Sequence, residues 1–135
     1  MRVFLDANIL FSAANPKWLT HGFVELLLSR AVCVTNGYAA EEARRNLANH
    51  FPNNLPQLDA LLARVKLVTA IIDDLGVDLK AKDRPILGGA IAARATHLLT
   101  GDRRDFGALF GKTVQGVKVV DQAALAAEME ERGLL

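Results

Sequence analysis

The sequence predicts an α/β fold in which helices cover both faces of a parallel sheet of about four to five strands. The apolar runs that suit strands are short and do not alternate with polar residues, as expected of strands buried on both faces. Segments with helical periodicity separate these runs, which is the chain order of a parallel sheet with crossover helices.

The first strand is predicted at Val3–Leu5, and Asp6-Ala7-Asn8 is predicted to form the turn that ends it. Turn signals close two further strands, Asn36-Gly37 after one and Gly101-Asp102 after the other. The later strands are predicted, in chain order, at Val32–Thr35, Lys66–Ala70, His97–Thr100 and Val117–Val120.

The helices are predicted from apolar residues that recur three to four positions apart. One helix is expected from Asp83 to about Ala95, with Asp83 as its N-cap and Pro85 in its first turn. The segment before it, from Ile71 to Lys82, is acidic and irregular. The other helices are predicted at Thr20–Arg30, Tyr38–Asn49, Leu55–Val65, Phe106–Phe110 and Gln122–Glu131.

Composition excludes several classes of protein. The chain has 135 residues, which predicts a single domain spanning 1–135, and 51% of them are hydrophobic, so it is not a disordered chain. The net charge of +1 argues against a strongly basic binder of duplex DNA. The lone Cys33 cannot form an internal disulfide, Asp6 comes too early for a signal peptide, and no apolar run is long enough for a membrane span. A cytoplasmic protein is expected.

Four acidic residues are predicted to meet at the edge of the sheet where its parallel strands end, here called the carboxyl edge. Asp6 ends the first strand, and Asp102 ends the strand that begins at His97, with Asp105 one helical turn further on. Asp83 begins a helix, and crossover helices start at this same edge. Each acid alone could instead be a turn residue, a helix cap or a surface group.

A helical wheel distinguishes Glu42 from Glu41 as a further candidate. With Ala43 at the centre of the buried stripe and about 100° per residue, Glu42 lies at its border and Glu41 faces solvent. Clustered carboxylates must hold either protons or a cation, and hard divalent ions such as Mg²⁺ and Mn²⁺ prefer oxygen ligands. Because no histidine–cysteine set has zinc spacing, a metal site with only oxygen ligands is expected. Such a site is typical of metal-assisted phosphodiester hydrolysis. Motifs for nucleoside triphosphates, dinucleotides and serine hydrolases are absent.

Four segments in this order resemble PIN-domain nucleases. They are Val3-Phe4-Leu5-Asp6-Ala7-Asn8-Ile9-Leu10, Glu42-Ala43-Arg44-Arg45-Asn46-Leu47, Lys82-Asp83-Arg84-Pro85-Ile86-Leu87 and Thr100-Gly101-Asp102-Arg103-Arg104-Asp105-Phe106. The resemblance implies a three-layer α/β/α fold and a Mg²⁺- or Mn²⁺-dependent endoribonuclease acting on single-stranded RNA. Many small relatives of this kind are VapC-like toxins, which bind an antitoxin protein and are often homodimers.

The resemblance also assigns roles to individual residues. Asp6, Glu42, Asp83 and Asp102 would form the catalytic metal site, with Asp105 as a further ligand, while Asn8 and Thr100 would orient the site by hydrogen bonds. The expected RNA-binding residues are basic: Arg103, Arg104, Arg44 and Arg45, with Lys80, Lys82 and Arg84 as further candidates. Three alternatives remain open: a non-catalytic PIN-like module that binds RNA or protein, an RNA-processing nuclease outside any toxin–antitoxin system, and an acidic-pocket phospho-receiver domain.

Overall fold

A computed structural model describes all residues 1–135 and confirms the α/β fold. The six strands lie in the order β3-β2-β1-β4-β6-β5, and every neighbouring pair is parallel except β5 with β6. The strands are β1 (Arg2–Leu5), β2 (Val32–Asn36), β3 (Lys66–Val68), β4 (His97–Leu99), β5 (Thr113–Val114) and β6 (Val117–Val120).

Seven α-helices accompany the sheet, and short 3₁₀ turns follow α3 and α6. None of the helices combines the length and the apolar composition needed to cross a membrane. They are α1 (Ala7–Ala13), α2 (Leu19–Arg30), α3 (Gly37–His50), α4 (Leu55–Leu62), α5 (Arg84–Ala92), α6 (Arg103–Phe106) and α7 (Gln122–Glu131).

The central strand β1 shows that helices cover the sheet on both sides. Val3, Phe4 and Leu5 are completely buried, although consecutive strand residues point to opposite faces. The same holds for Leu98 and Leu99 in β4. Strands that are apolar throughout are therefore explained by two buried faces, as the sequence predicts.

Two expectations about the elements are wrong, and one strand is additional. Asp6-Ala7-Asn8 is not a free turn, because the chain enters α1 directly after β1. The parallel part of the sheet has five strands, within the predicted number, and a sixth strand, β5, pairs antiparallel with β6 through its two residues. Two residues are too few to produce a periodic signal in the sequence. Near Phe106, the helix α6 ends where the sequence predicts that it begins, and a 3₁₀ turn follows.

Asp83 occupies the N-cap position of α5, but its side chain makes no capping hydrogen bond. The predicted position of Asp83 is therefore right, but the expectation that its side chain caps the helix is wrong. The carboxyl group points instead towards other acidic groups, and its Oδ2 atom is buried with no hydrogen-bond partner. Pro85 lies in the first turn of α5 as predicted.

Helix α5 packs closely against its neighbours through two consecutive glycines. A Cβ atom on Gly89 would lie 2.5 Å from Nδ2 of Asn36 and 3.3 Å from the ring of Phe4. A Cβ atom on Gly88 would collide with the backbone carbonyl of Ile72, and the Gly88 carbonyl accepts a 3.0 Å hydrogen bond from the Ile72 amide. The two glycines thus fix α5 against the sheet and against the segment that precedes it.

This packing predicts opposite effects of alanine at two helical glycines. Gly88→Ala is expected to lower the free energy of unfolding by about 1–3 kcal/mol, because the backbone of Ile72 must move. Gly22→Ala in α2 has open space around its Cβ position and is expected to raise that free energy by about 0.5–1 kcal/mol. Urea denaturation of both variants measures this, and equal effects would contradict the close approach at Gly88.

Candidate functional site

The end of β1 and the end of β4 are joined by a hydrogen-bond network around Asp6. The Asp6 carboxylate accepts from the Ala7 amide at 2.6 Å, from Oγ1 of Thr100 at 2.8 Å and from Nδ2 of Asn8 at 3.2 Å. Asn8 also accepts from the Gly101 amide at 2.7 Å through its Oδ1 atom. Asp6 is thus held rigidly, and Asn8 and Thr100 lie where they can orient it.

Three further carboxylates form a compact group, called here the acidic cluster: Asp83, Asp102 and Asp105. One oxygen from each lies within 4.8 Å of the others. The Asp105 amide donates to Oδ1 of Asp102 at 3.1 Å, so Asp102 caps α6. The Asp102 amide in turn donates to Oγ1 of Thr100 at 3.1 Å, which connects the acidic cluster to the Asp6 network.

Two lysines from the segment before α5 neutralise part of this negative charge. Lys80 Nζ lies 2.9 Å from Oδ1 of Asp105, and Lys82 Nζ lies 2.8 Å from Oδ2 of the same carboxylate. Both lysine side chains are mostly exposed, whereas the Asp105 side chain is 1% exposed. The lysines hold the pKa of Asp105 well below its usual range, because they stabilise its ionised form.

The other two buried acids have raised pKa values. Burial raises the pKa of Asp6 to about 6, and the charge of nearby Glu42 adds to the shift. Burial also raises the pKa of Asp83 to about 7, and the neighbouring Asp105 carboxylate adds to the shift because it favours the protonated form of Asp83. Because the folded chain leaves these charges poorly solvated, this edge of the sheet favours a bound proton or cation.

Glu42 lies between two cavities at the carboxyl edge. A polar cavity of about 570 Å³ is lined by Asn8, Glu42 and Asp102, among others. A more apolar groove of about 690 Å³ on the other side of Glu42 includes Tyr38 and Lys82. Glu42 is half-buried and Glu41 is exposed, which is the order that the helical wheel predicts.

All five predicted acids lie at this edge, but in two groups. Asp83, Asp102 and Asp105 form the acidic cluster, whereas Asp6 and Glu42 are adjacent to it and interact with each other electrostatically. A divalent ion fits the donor set of the cluster, because the donors are all carboxylate oxygens and one, Oδ2 of Asp83, is buried without a partner.

The four candidate arginines occupy different surroundings. Arg103 forms an ion pair with Asp121 and stacks on Phe110, with its guanidinium carbon 4.9 Å from the ring centre. Arg44 pairs with Asp59 at 2.8 Å on α4. Arg45 lines the apolar groove, and Arg104 is exposed beside the cluster in sequence.

Sequence reasoning missed the apolar groove and the pairing of both lysines with one aspartate. The groove depends on side chains from α3, β3 and α5, which no local pattern brings together. The only available signal for the lysines was that Lys80 and Lys82 immediately precede the Asp83 motif.

Comparisons with known proteins address the fold. No protein-family model matches the sequence, and no curated protein is significantly similar to it. Among solved structures, VapBC2 from Rickettsia felis bound to a DNA fragment from its promoter matches with a TM-score of 0.66 at 20% identity, over 90% of this chain and 98% of the matched chain.

Two other structures give the same result. VapBC-1 from nontypeable Haemophilus influenzae matches with a TM-score of 0.60 at 14% identity, over 91% of this chain and 99% of the other. FitAcB from Neisseria gonorrhoeae matches with a TM-score of 0.56 at 16% identity, over 90% and 98% of the two chains. The chain shares their fold. The expected PIN-like α/β architecture is thereby confirmed over nine-tenths of its length.

The geometry at Asp83 predicts a pH-dependent gain in stability when its charge is removed. The folded chain holds the Asp83 proton up to a pH of about 7, whereas the ordinary value is 3.8. Wild-type stability therefore falls, relative to an uncharged variant, as pH rises through this window. In EDTA at pH 7.5, Asp83→Asn is expected to be more stable than wild type by roughly 1–3 kcal/mol, with little difference at pH 4.

The capping geometry supplies a control for this experiment. Asp83→Ala is expected not to show the loss of about 1 kcal/mol that follows removal of a capping side chain. Asp121→Ala is expected to show that loss, since Oδ1 of Asp121 accepts from the Ala124 amide at 2.8 Å and caps α7. Urea denaturation across the pH range measures all three variants, and a constant difference between wild type and Asp83→Asn would contradict the raised pKa.

Proposed function

We propose that this protein is a metal-dependent endoribonuclease of the PIN-domain kind that cleaves single-stranded RNA. The observation that carries the proposal is the acidic cluster beside Asp6 and Glu42, at the carboxyl edge of a fold shared with VapBC and FitAB structures. Burying Asp6 and Asp83, whose pKa values are raised, is unfavourable in a site that has no cation to bind. A divalent ion bound for RNA cleavage would stabilise their ionised forms.

The residues would hold Mg²⁺ or Mn²⁺ through carboxylate oxygens. Asp83 and Asp102 would be direct ligands, Asp105 a further ligand once its lysines release it, and Asp6 and Glu42 would bind directly or through water. Bound there, the ion supplies a water molecule of lowered pKa and stabilises the charge on the leaving oxygen. Thr100 keeps Asp6 in one orientation through a hydrogen bond from the end of β4 to the end of β1, and Asn8 adds a local hydrogen bond to the same carboxylate.

Basic side chains around the site support a nucleic-acid substrate. Lys80 and Lys82 have mostly exposed side chains and pair with the acidic cluster, Arg45 lines the adjacent groove, and Arg104 is exposed on α6. Lysine and arginine bind phosphate oxygens without reading sequence. With a net charge of only +1, the chain lacks the broad basic surface of a duplex binder. The basic side chains near the site would instead make local contacts with phosphate groups.

The cellular role that we propose is the toxin of a type II toxin–antitoxin pair. The four sequence motifs resemble VapC-like toxins, and two of the structures with this fold are named VapBC. An antitoxin protein would then be the natural partner, and the toxin would act in the cytoplasm, either alone or as a homodimer. A small adjacent gene for a DNA-binding protein would distinguish this role from RNA processing.

The first test is metal dependence. The purified protein is expected to cleave single-stranded RNA with Mg²⁺ or Mn²⁺ and to lose that activity in EDTA. Mn²⁺ is also expected to stabilise the folded state, by about 2.7 kcal/mol at a concentration of 100 Kd. Asp102→Asn is expected to lose both effects, and Asp59→Asn, an exposed acid on α4, to keep both. Cleavage that persists in EDTA would contradict the proposal.

The second test compares two neighbouring glutamates. Glu42→Gln is expected to lower kcat/KM for RNA at least about 100-fold, because Glu42 faces both cavities and interacts with Asp6. Glu41→Gln is expected to retain most of the activity, because Glu41 is exposed and lines only the apolar groove, whereas Glu42 also lines the polar cavity that includes Asp102. The reverse order in a cleavage assay would show that Glu41, not Glu42, serves the site.

A further inference from the structure

The apolar groove beside Glu42 has the chemistry of a site for a single nucleobase. It lies between the start of α3, the edge strand β3 and the start of α5, and has a volume of about 690 Å³. We propose that this groove binds one unpaired base of the RNA next to the cleaved phosphate, with Tyr38 stacking on that base. This inference rests on the proposed nuclease function and deepens it.

Two large side chains on the walls of the groove, Tyr38 and Leu67, are exposed. Tyr38, in the first turn of α3, is 60% exposed, and Leu67 on β3 is 58% exposed. Pro85 and Ile86 of α5 line the same groove. Exposed apolar groups gathered in one concave site indicate a ligand with a flat apolar surface, and an aromatic ring accepts any base by stacking.

The basic side chains of the groove suit the phosphate groups of a nucleotide. Lys82 lines the groove and its ammonium group lies 2.8 Å from Asp105, so the groove leads directly to the acidic cluster. Arg45 lines it as well, together with the acidic side chains of Glu41 and Glu42. A base held against Tyr38 therefore places its attached phosphates near Lys82 and Arg45, beside the proposed site of cleavage.

The groove is held open by a buried asparagine that joins two of its walls. Asn36 is 2% exposed, accepts from the Ala39 amide at 3.1 Å and donates to the Pro85 carbonyl at 3.0 Å. It thereby caps α3 and fixes the first turn of α5 at the same time. A preformed site of this kind loses little entropy when the base enters. A paired base could not enter it, so the subsite would select for the single-stranded RNA of the proposed function.

The polar cavity on the other side of Glu42 differs in character. Its lining includes Ser12, Thr20 and Asp121, with few apolar groups. An RNA strand bound across the acidic edge would therefore meet an apolar surface for a base on one side of Glu42 only. The asymmetry predicts that cleavage depends on the base on one side of the cut phosphate and tolerates its loss on the other.

Tyr38 can be tested directly because it is the only tyrosine in the chain. Protein containing 3-fluorotyrosine gives one ¹⁹F resonance from this residue. A single-stranded RNA of about 12 nucleotides, added with Ca²⁺ to neutralise the carboxylates, is expected to shift that resonance. The same RNA annealed to its complement, or a strand of abasic residues of equal length, is expected to leave it unshifted.

Kinetics with matched variants complete the test. Tyr38→Ala is expected to lower kcat/KM about 5- to 150-fold on intact RNA, while Tyr38→Phe keeps the ring and most of the activity. On RNA with an abasic residue at the mapped position beside the cut, wild type and Tyr38→Ala are expected to be equal. Phe51→Ala, an exposed aromatic about 20 Å away beyond the other end of α3, is the control, with its melting temperature checked.

The outcomes separate the subsite from the nuclease function. If wild type cleaves RNA and Tyr38→Ala cleaves it equally well, the subsite is wrong and the nuclease proposal stands. The same conclusion follows if the ¹⁹F resonance moves only when a protein partner is added. If wild type neither binds nor cleaves RNA, the nuclease proposal fails and the subsite fails with it. The subsite is supported if Tyr38→Ala loses activity on intact RNA but equals wild type on abasic RNA, and if single-stranded RNA shifts the ¹⁹F resonance.

Discussion

The site depends on the parallel pairing of β1 with β4, which places the ends of two distant chain segments side by side. Leu5 pairs with Leu99, so Asp6 and Thr100 are direct neighbours where the strands end. The hydrogen bond from Thr100 to Asp6 and the bonds of Asn8 close this junction. From it the chain enters α1 on one side and α6 on the other, and Asp102 and Asp105 follow from the start of α6.

Acidic groups gathered at this junction repel one another, and different parts of the fold offset the charge of each. Asp105 is compensated by Lys80 and Lys82, Asp6 by three hydrogen-bond donors, and Asp83 by retaining its proton. The compensation is uneven, because Oδ2 of Asp83 has no partner. A chain selected only for stability would replace such a group, and the proposed cation site would account for its presence.

The sequence predicts the parts of this arrangement that local pattern determines. The buried strands, the main helices and the placement of Asp6, Asp83, Asp102 and Asp105 at one edge follow from apolar runs and from the geometry of parallel sheets. The antiparallel β5 is too short to detect, and α1 was hidden because Asp6-Ala7-Asn8 has the composition of a turn. Asp83 occupies the N-cap position that the sequence predicts, but its carboxyl group lies in the acidic cluster and makes no capping hydrogen bond.

The lysine pairs and the groove could not be predicted because they depend on tertiary contacts. The segment 71–83 has no regular structure, and its position is determined by contacts such as the Ile72–Gly88 hydrogen bond. That segment carries Lys80 and Lys82 to Asp105, and the α5 turn that follows it forms a wall of the groove with Pro85. The close packing of α5 thus serves stability and chemistry together: a helix that moved away from the sheet would open the groove and separate Asp83 from Asp102 and Asp105.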